Sequence, residues 1–417
     1  MSLSPAPARA AAPPAPGIVL ALAALIAPPL GVFAPLGFAP LLAVAALALL
    51  ASAPRRMLAA ARPFAGLAAL VALVSAWGAL SALWSPIPAH SLFEAIRLLA
   101  IAAAGLVVTA AATSLDEGAA ARVGYALLAG IAVAILLLQV ELRSGEAIAR
   151  LVAGALPGKP VSISRYDRGI TLLLLLAVPA ASLLAARRRP FGLALLALAA
   201  GVTVVEFNSR TSVVAFGVAL VAGAVGWRLP RVAALCLLVG IAGLALVLPL
   251  VAPAGPGIAA IERAAPLLPE SAIHRFAIWR FAGDRIAERP LLGWGMDASR
   301  AIPGGKTPVY RLYPELHINH VAQAMPLHPH DAALQWRLEL GLPGVALILA
   351  LLGCVLWPAA RQAMPGWRRA LVFAYVGAAA TVALLSFGAW QAWWLSALWL
   401  GAALLTRLGD ARDAATA

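Results

Sequence analysis

Val232-Ala-Ala-Leu-Cys-Leu-Leu-Val-Gly-Ile-Ala-Gly-Leu-Ala-Leu-Val-Leu-Pro-Leu-Val-Ala252 runs for 21 residues without a charged, hydroxyl or amide side chain. Coiled as a helix at about 1.5 Å per residue, it crosses a hydrocarbon core of about 30 Å and satisfies nearly all its backbone N–H and C=O groups without water. Eleven more stretches of this kind occur, at 17–33, 35–53, 64–83, 92–112, 120–140, 169–186, 191–207, 211–227, 334–357, 369–388 and 390–407. The whole chain agrees: of 417 residues 63% are hydrophobic and only 12% charged, with a mean hydropathy of +0.93. No ordinary soluble domain is solvated by so few charges. Short alternating segments, the mark of a membrane β-barrel, are absent from the sequence. The expected fold is therefore all-α, a polytopic integral membrane protein with about twelve transmembrane helices.

Charge in the short connectors sets the expected orientation, because arginine-rich loops stay cytoplasmic. Arg55, Arg56 and Arg62, then Arg187 to Arg189, Arg228 and Arg231, and Arg361, Arg368 and Arg369 all fall on one side. An even number of spans puts both termini there too, in keeping with Arg407 and Arg412. The expected organisation is a disordered tail over 1–16 without a signal-peptide pattern, nine spans within 17–252, a large outer loop over 253–333, three spans within 334–408, and a tail over 409–417. The net charge of +14 is spread over these loops and reads as topogenic rather than as a nucleic-acid surface. Cys236 and Cys354 lie in apolar runs and imply neither a disulfide nor a metal site. No fixed-period repeat and no two-half symmetry is visible.

The long outer loop escapes the charge rule, so its arginines need another reason. Ser271 to Arg289 reads as an amphipathic helix, closed by Pro290 and the turn Gly293-Trp294-Gly295. At about 100° per residue, Arg275 shares a face with Trp279, Ala282 and Ile286, while Arg280, Asp284 and Glu288 share the opposite one. A guanidinium on the apolar face is expected to be paired or to bind an anion. Arg210, in the turn Asn208-Ser209-Arg210, and Arg168, in Asp167-Arg168-Gly169, stand at outer span ends, where each is an anion ligand or an interfacial anchor. Glu206 is read either as orienting Arg210 or as an ordinary interfacial acid, and Glu94 with Arg97 reads as a structural pair three residues apart.

His328-Pro329-His330-Asp331 is too cramped for a standard zinc constellation, so no metal and no cofactor is expected. Asp331 is instead the expected N-cap of the following span, leaving His330 beside the positive end of that helix. The dipole disfavours imidazolium, which makes His330 the best general-base candidate. His274, His317 and His320 are read as ordinary loop histidines.

His330-Asp331, nine residues, and Gly341-Leu-Pro-Gly344 together resemble the signature of the O-antigen ligase and polymerase family of bacterial envelope glycosyltransferases. Asp331 departs from the Asn, Ser or Gln of that signature. Leu80 to Pro86 with Trp84-Ser85-Pro86, Asp167-Arg168-Gly169, Asn208-Ser209-Arg210, and Arg275 through Pro290-Leu-Leu-Gly-Trp-Gly295 are similar to the family in the same order. The resemblance implies metal-independent, inverting transfer of a glycan from undecaprenyl diphosphate on the periplasmic face of the bacterial inner membrane. The acceptor it implies is a lipid A core sugar for a ligase, or another lipid-linked repeat unit for a polymerase of O-antigen or exopolysaccharide. It places the essential histidine at His330 and the arginines at Arg210 and Arg275, with Arg168, Asp331, His328, Trp279 and Arg280 as substrate contacts. Membrane lipids are the remaining expected partners, and nucleic acid is not one. A lipid-linked glycan transporter is the alternative of a different class; it calls for a central polar pathway, and ionisable residues within the spans are few.

Overall fold

The computed structural model describes residues 16–153, 166–254, 263, 270–316, 322–361 and 364–408. The expected tails over 1–15 and 409–417, with Arg412, and also Lys159, His317 and His320, lie outside the described residues. Helices dominate in the order α1 (Pro16–Phe33), α2 (Phe38–Ser52), α3 (Pro54–Ala61), α4 (Ala65–Leu80), α5 (Pro88–Thr113) and α6 (Glu117–Ser144). There follow α7 (Ala147–Ala153), α8 (Asp167–Ala186), α9 (Pro190–Glu206), α10 (Arg210–Arg228), α11 (Pro230–Leu246) and α12 (Leu248–Val251). The chain continues with α13 (Glu270–Glu288), α14 (Val309–Leu312), α15 (Ala332–Arg361), α16 (Gly366–Leu385) and α17 (Ala392–Leu408). Among the described residues there is no strand, only an isolated bridge between Pro308 and Gln323.

Ten helical segments are long and apolar enough to cross a membrane; α9 and α17, at 17 residues each, are apolar but shorter. Every expected span thus corresponds to an apolar helix. Proline at the first turn starts α3, α5, α9 and α11, where its missing N–H is no loss. Asp116 caps α6 by accepting from the Ala119 amide at 2.7 Å, and Gly145 ends it at φ 65°. α8 is the central helix: it packs against α1, α6, α9, α16 and α17 and is almost wholly buried, whereas α11 presents much of its surface outward. Of the expected short amphipathic helices in the loop over 253–333, α13 is the one substantial element among the described residues; α14 has only four residues.

The basic connectors gather at one end of the bundle. Arg56 and Arg407 donate to the carbonyls of Ser114 and Leu115 at 3.0 Å each, and Arg369 donates to Trp227 O at 3.0 Å and Met364 O at 2.7 Å. The Ser114, Leu115 and Trp227 carbonyls among these lie at or just past helix C-termini, where cations are favoured.

α15 is broken at Gly341, which adopts φ 64° and ψ −158°. Pro343 has no N–H to return to Glu339 O, and the segment that follows Pro290 occupies the gap. Trp294 N–H donates to Leu338 O at 2.9 Å, Gly295 N–H to Glu339 O at 2.8 Å, and Leu342 N–H to Leu291 O at 3.0 Å. The Trp77 indole takes Leu340 O at 2.9 Å. The Gly341-Leu-Pro-Gly344 and Leu291-to-Gly295 stretches are therefore two halves of one joint, in which the Leu338, Glu339 and Leu340 carbonyls and the Leu342 amide all find partners. A side chain at Gly341 has no room, since a Cβ there falls 2.0 Å from Leu291 O.

Candidate active site

The site lies at the end of the bundle opposite the basic connectors, where α8, α10, α15 and α17 begin. Asp331 caps α15, accepting from Leu334 N–H at 2.9 Å, and is only 2% exposed. Burial pushes its carboxyl up to about 6, against the pull of the Leu334 and Ala333 amides. Its oxygens are committed to the helix start.

His330 stands one residue earlier at φ 55°, a left-handed conformation that a non-glycine residue holds only where its surroundings impose it. Three contacts impose it. The His330 backbone N–H donates to His328 Nδ1 at 3.2 Å, its ring Nδ1 lies 2.8 Å from the carbonyl of Ser386, and the Trp279 indole holds Pro329 O at 3.0 Å. Because a carbonyl only accepts, Nδ1 carries the proton and the lone pair of neutral His330 is on Nε2. By the same reasoning His328 keeps its Nδ1 bare, and burial first, then the charges of His330 and Arg300, push it down to about 3. His328 is a buried, neutral brace, its ring centroid 4.4 Å from that of His330.

Burial also lowers the pKa of His330; the Ser386 bond opposes this, and Arg275 and His274 reinforce it. Desolvation leads here, where the sequence had pointed to the helix dipole. Arg275 projects from α13, half-buried, and burial lowers its pKa too, though a guanidinium stays charged. Among the described residues no carboxylate pairs with it. Arg280 lies over the Tyr313 ring at 4.2 Å, on the far face of α13 from Arg275. His274 Nε2 donates to Gln323 O at 2.9 Å, since a carbonyl only accepts.

Arg168 and Arg210 are exposed at adjacent helix starts, tied together by a side-chain hydrogen bond between Asp167 and Ser209. The Arg168 guanidinium lies 5.7 Å from the centre of the Trp393 ring, Trp393 packs edge-on against Phe387 at 4.8 Å, and Phe387 follows the Ser386 that holds His330. An aromatic shelf thus connects Arg168 to the histidine. Of the two readings of Glu206, the interfacial acid fits: Gln139 Nε2 donates to it at 2.5 Å where the ends of α6 and α9 meet.

Sequence reasoning passed over a polar cluster beneath His330. Glu339, fully buried within α15, accepts from Asp297 N–H at 2.8 Å, Ser299 N–H at 3.3 Å, Ser299 O–H at 2.5 Å, Gln335 Nε2 at 3.1 Å and Trp390 Nε1 at 2.6 Å. Gln335 Oε1 in turn accepts Ala389 N–H at 2.8 Å. A carboxylate inside an apolar run was the available signal. Beside it, His90, Glu94 and Asp297 bring ligand atoms within 4.8 Å of one another. Arg97 pairs with Glu94, as the sequence spacing implied, and Arg300 pairs with Asp297 at 2.6 Å, so each carboxylate already has its cation.

An apolar cavity of about 330 Å³ opens below the cluster, between α4, α5, α15, α16 and α17, with Val74, Leu98, Trp336, Trp390, Trp394 and Trp399 on its walls.

The helices and this site define a multi-pass membrane protein with a polar, arginine-flanked centre at one end. Residues 193–349, which include Arg210, Arg275 and His330, match the model of the O-antigen ligase family. A protein of Rickettsia prowazekii provisionally named polysaccharide ligase is 35% identical over 132 residues, 31% of this chain and 31% of its own. A Rickettsia conorii protein of the same name is 32% identical over 131 residues, 31% of this chain and 30% of its own, and one from Rickettsia typhi is 33% identical over 132, 31% of each. The chain thus spans about three tenths of the length of these curated relatives.

Proposed function

We propose that this chain is a glycosyltransferase of the ligase type, moving a glycan from undecaprenyl diphosphate to a lipid A core acceptor on the periplasmic face of the inner membrane. His330 Nε2 takes the acceptor hydroxyl proton as that oxygen bonds the anomeric carbon. Undecaprenyl diphosphate departs from the opposite face with the electron pair of the broken C–O bond, which inverts the anomeric centre. Diphosphate is a good leaving group and needs its charge stabilised more than it needs a proton; Arg275, Arg210 and Arg168 supply planar, permanently charged donors. Trp279 and His328 hold the histidine, and Asp331 holds the helix start beneath it. The apolar cavity below offers a seat for the first isoprene units of the donor.

The observation that carries this reading is the 2.8 Å bond from His330 Nδ1 to Ser386 O, which fixes the base tautomer in the field of Arg275. In proteoliposomes His330→Ala is expected to slow release of undecaprenyl diphosphate by about 10²- to 10⁴-fold, the usual contribution of a general base, with the folded protein recovered at its normal level. Unchanged release removes His330 from the chemistry and the proposal with it.

A further inference from the structure

We propose that Glu339, working with Gln335, is a positioning residue for His330: it fixes the 386–390 turn whose Ser386 carbonyl receives the His330 Nδ1–H. The proposal rests on the reading of His330 as the base. The turn is pinned at both ends. His330 holds Ser386 O, while Gln335 takes Ala389 N–H and Glu339 takes the Trp390 indole, at 2.8, 2.8 and 2.6 Å. Gln335 and Glu339 are one helical turn apart on α15, and His330 sits at the head of that same helix, so one rigid unit holds both the imidazole and its acceptor.

The donors decide which residue can do this. Ser299 N–H, Ser299 O–H and Gln335 Nε2 converge on Oε1 of Glu339, and Asp297 N–H and Trp390 Nε1 on Oε2. Only a carboxylate accepts at both oxygens; an amide in either orientation turns its NH2 toward at least two of these donors. The site therefore selects a charged group inside the bundle, where one is costly unless hydrogen bonds surround it. Gly388 lies in the same turn, and a Cβ there falls 2.9 Å from the His328 ring, so the turn also backs the histidine brace.

Among the described residues, the other charged or titratable groups facing His330 are His328 on its own loop and Arg275 and His274 on α13. None of them is on the 386–390 turn, whose contribution is the carbonyl alone. Loosening the turn weakens that bond, which favours imidazolium, and so moves the titration of His330 to lower pH.

The test uses the full chain in proteoliposomes and follows carbethoxylation of His330 by diethyl pyrocarbonate against pH, read by mass spectrometry, beside release of undecaprenyl diphosphate from undecaprenyl-diphosphate-linked glycan with lipid A core as acceptor. Glu339→Gln is expected to lower the modification midpoint and to reduce kcat by about tenfold to 10²-fold with KM little changed. Trp390→Phe leaves the carboxylate in place and removes one tie, so it is expected to move both readouts the same way but less, and it serves if Glu339→Gln does not fold. Wild-type midpoints in both variants, or in Trp390→Phe when only that one folds, overturn the positioning role. The modification readout is independent of catalysis: an inert His330→Ala with normal Glu339→Gln sinks this proposal alone, and an active His330→Ala sinks the functional reading whatever Glu339 does.

Discussion

The two ends of the helix bundle treat arginine in opposite ways. At one end Arg56, exposed, and Arg369 and Arg407, half-buried, donate to backbone carbonyls at or just past helix C-termini, where such contacts anchor a connector. At the other end Arg275 is half-buried and Arg168 and Arg210 are exposed at helix N-termini, and among the described residues no carboxylate pairs with any of the three. A helix N-terminus repels a cation and attracts an anion. On the proposed reading the second set holds the leaving diphosphate, whereas the first set anchors connectors.

The sharpest way to break that contrast is to exchange the ends by mutation. Arg275→Ala is expected to lower glycan transfer by about 10²- to 10³-fold, the effect of losing one preorganised donor, and Arg275→Lys to restore little of it because the planar fork is lost. Arg407→Ala is expected to leave transfer within about twofold, since a surface contact of this kind contributes less than about 1 kcal/mol. Equal losses in Arg275→Ala and Arg407→Ala erase the distinction. A smaller effect comes from the joint that exists only at the site end. Gly341→Ala demands φ 64° of a residue with a Cβ and drives that carbon toward Leu291 O. Strain of about 1 to 3 kcal/mol and a clash follow, to be seen as a lower thermal midpoint; a wild-type midpoint removes the joint as a structural requirement. The smallest effect is on pH. His330 acts as a base only when neutral, and its pKa is lowered from the ordinary 6.5. Transfer is thus expected to persist below that value and to fall as pH drops through the folded-state pKa. An acid limb of kcat/KM above 6.5 contradicts the burial that sets it.

The apolar runs are legible because bilayer thickness acts on each segment by itself, which is why 232–252 and its counterparts appear as helices at nearly the expected bounds. Asp331 and the α13 stripe are legible for the same local reason: a cap spans three residues and an amphipathic face spans one helix. What holds His330 is not local. Ser386 lies 56 residues away, and His90 meets Asp297 across 207. No periodicity encodes those pairings. Glu339 was hidden differently, since a single acid in an apolar run looks alike whether it faces headgroups or a nest of five donors. Hydropathy likewise fails to separate α8, sheathed by neighbours, from α11, whose surface faces outward, although both runs are comparably apolar.

The interruption at Gly341 has a mechanical consequence. The ten residues from Ala332 to Gly341 are clamped by the segment after Pro290 and by the Trp77 indole, and the helix resumes beyond the break. The segment that carries His330 at its head is therefore tied across the break to the Leu291-to-Gly295 stretch and not only to the continuation of its own helix.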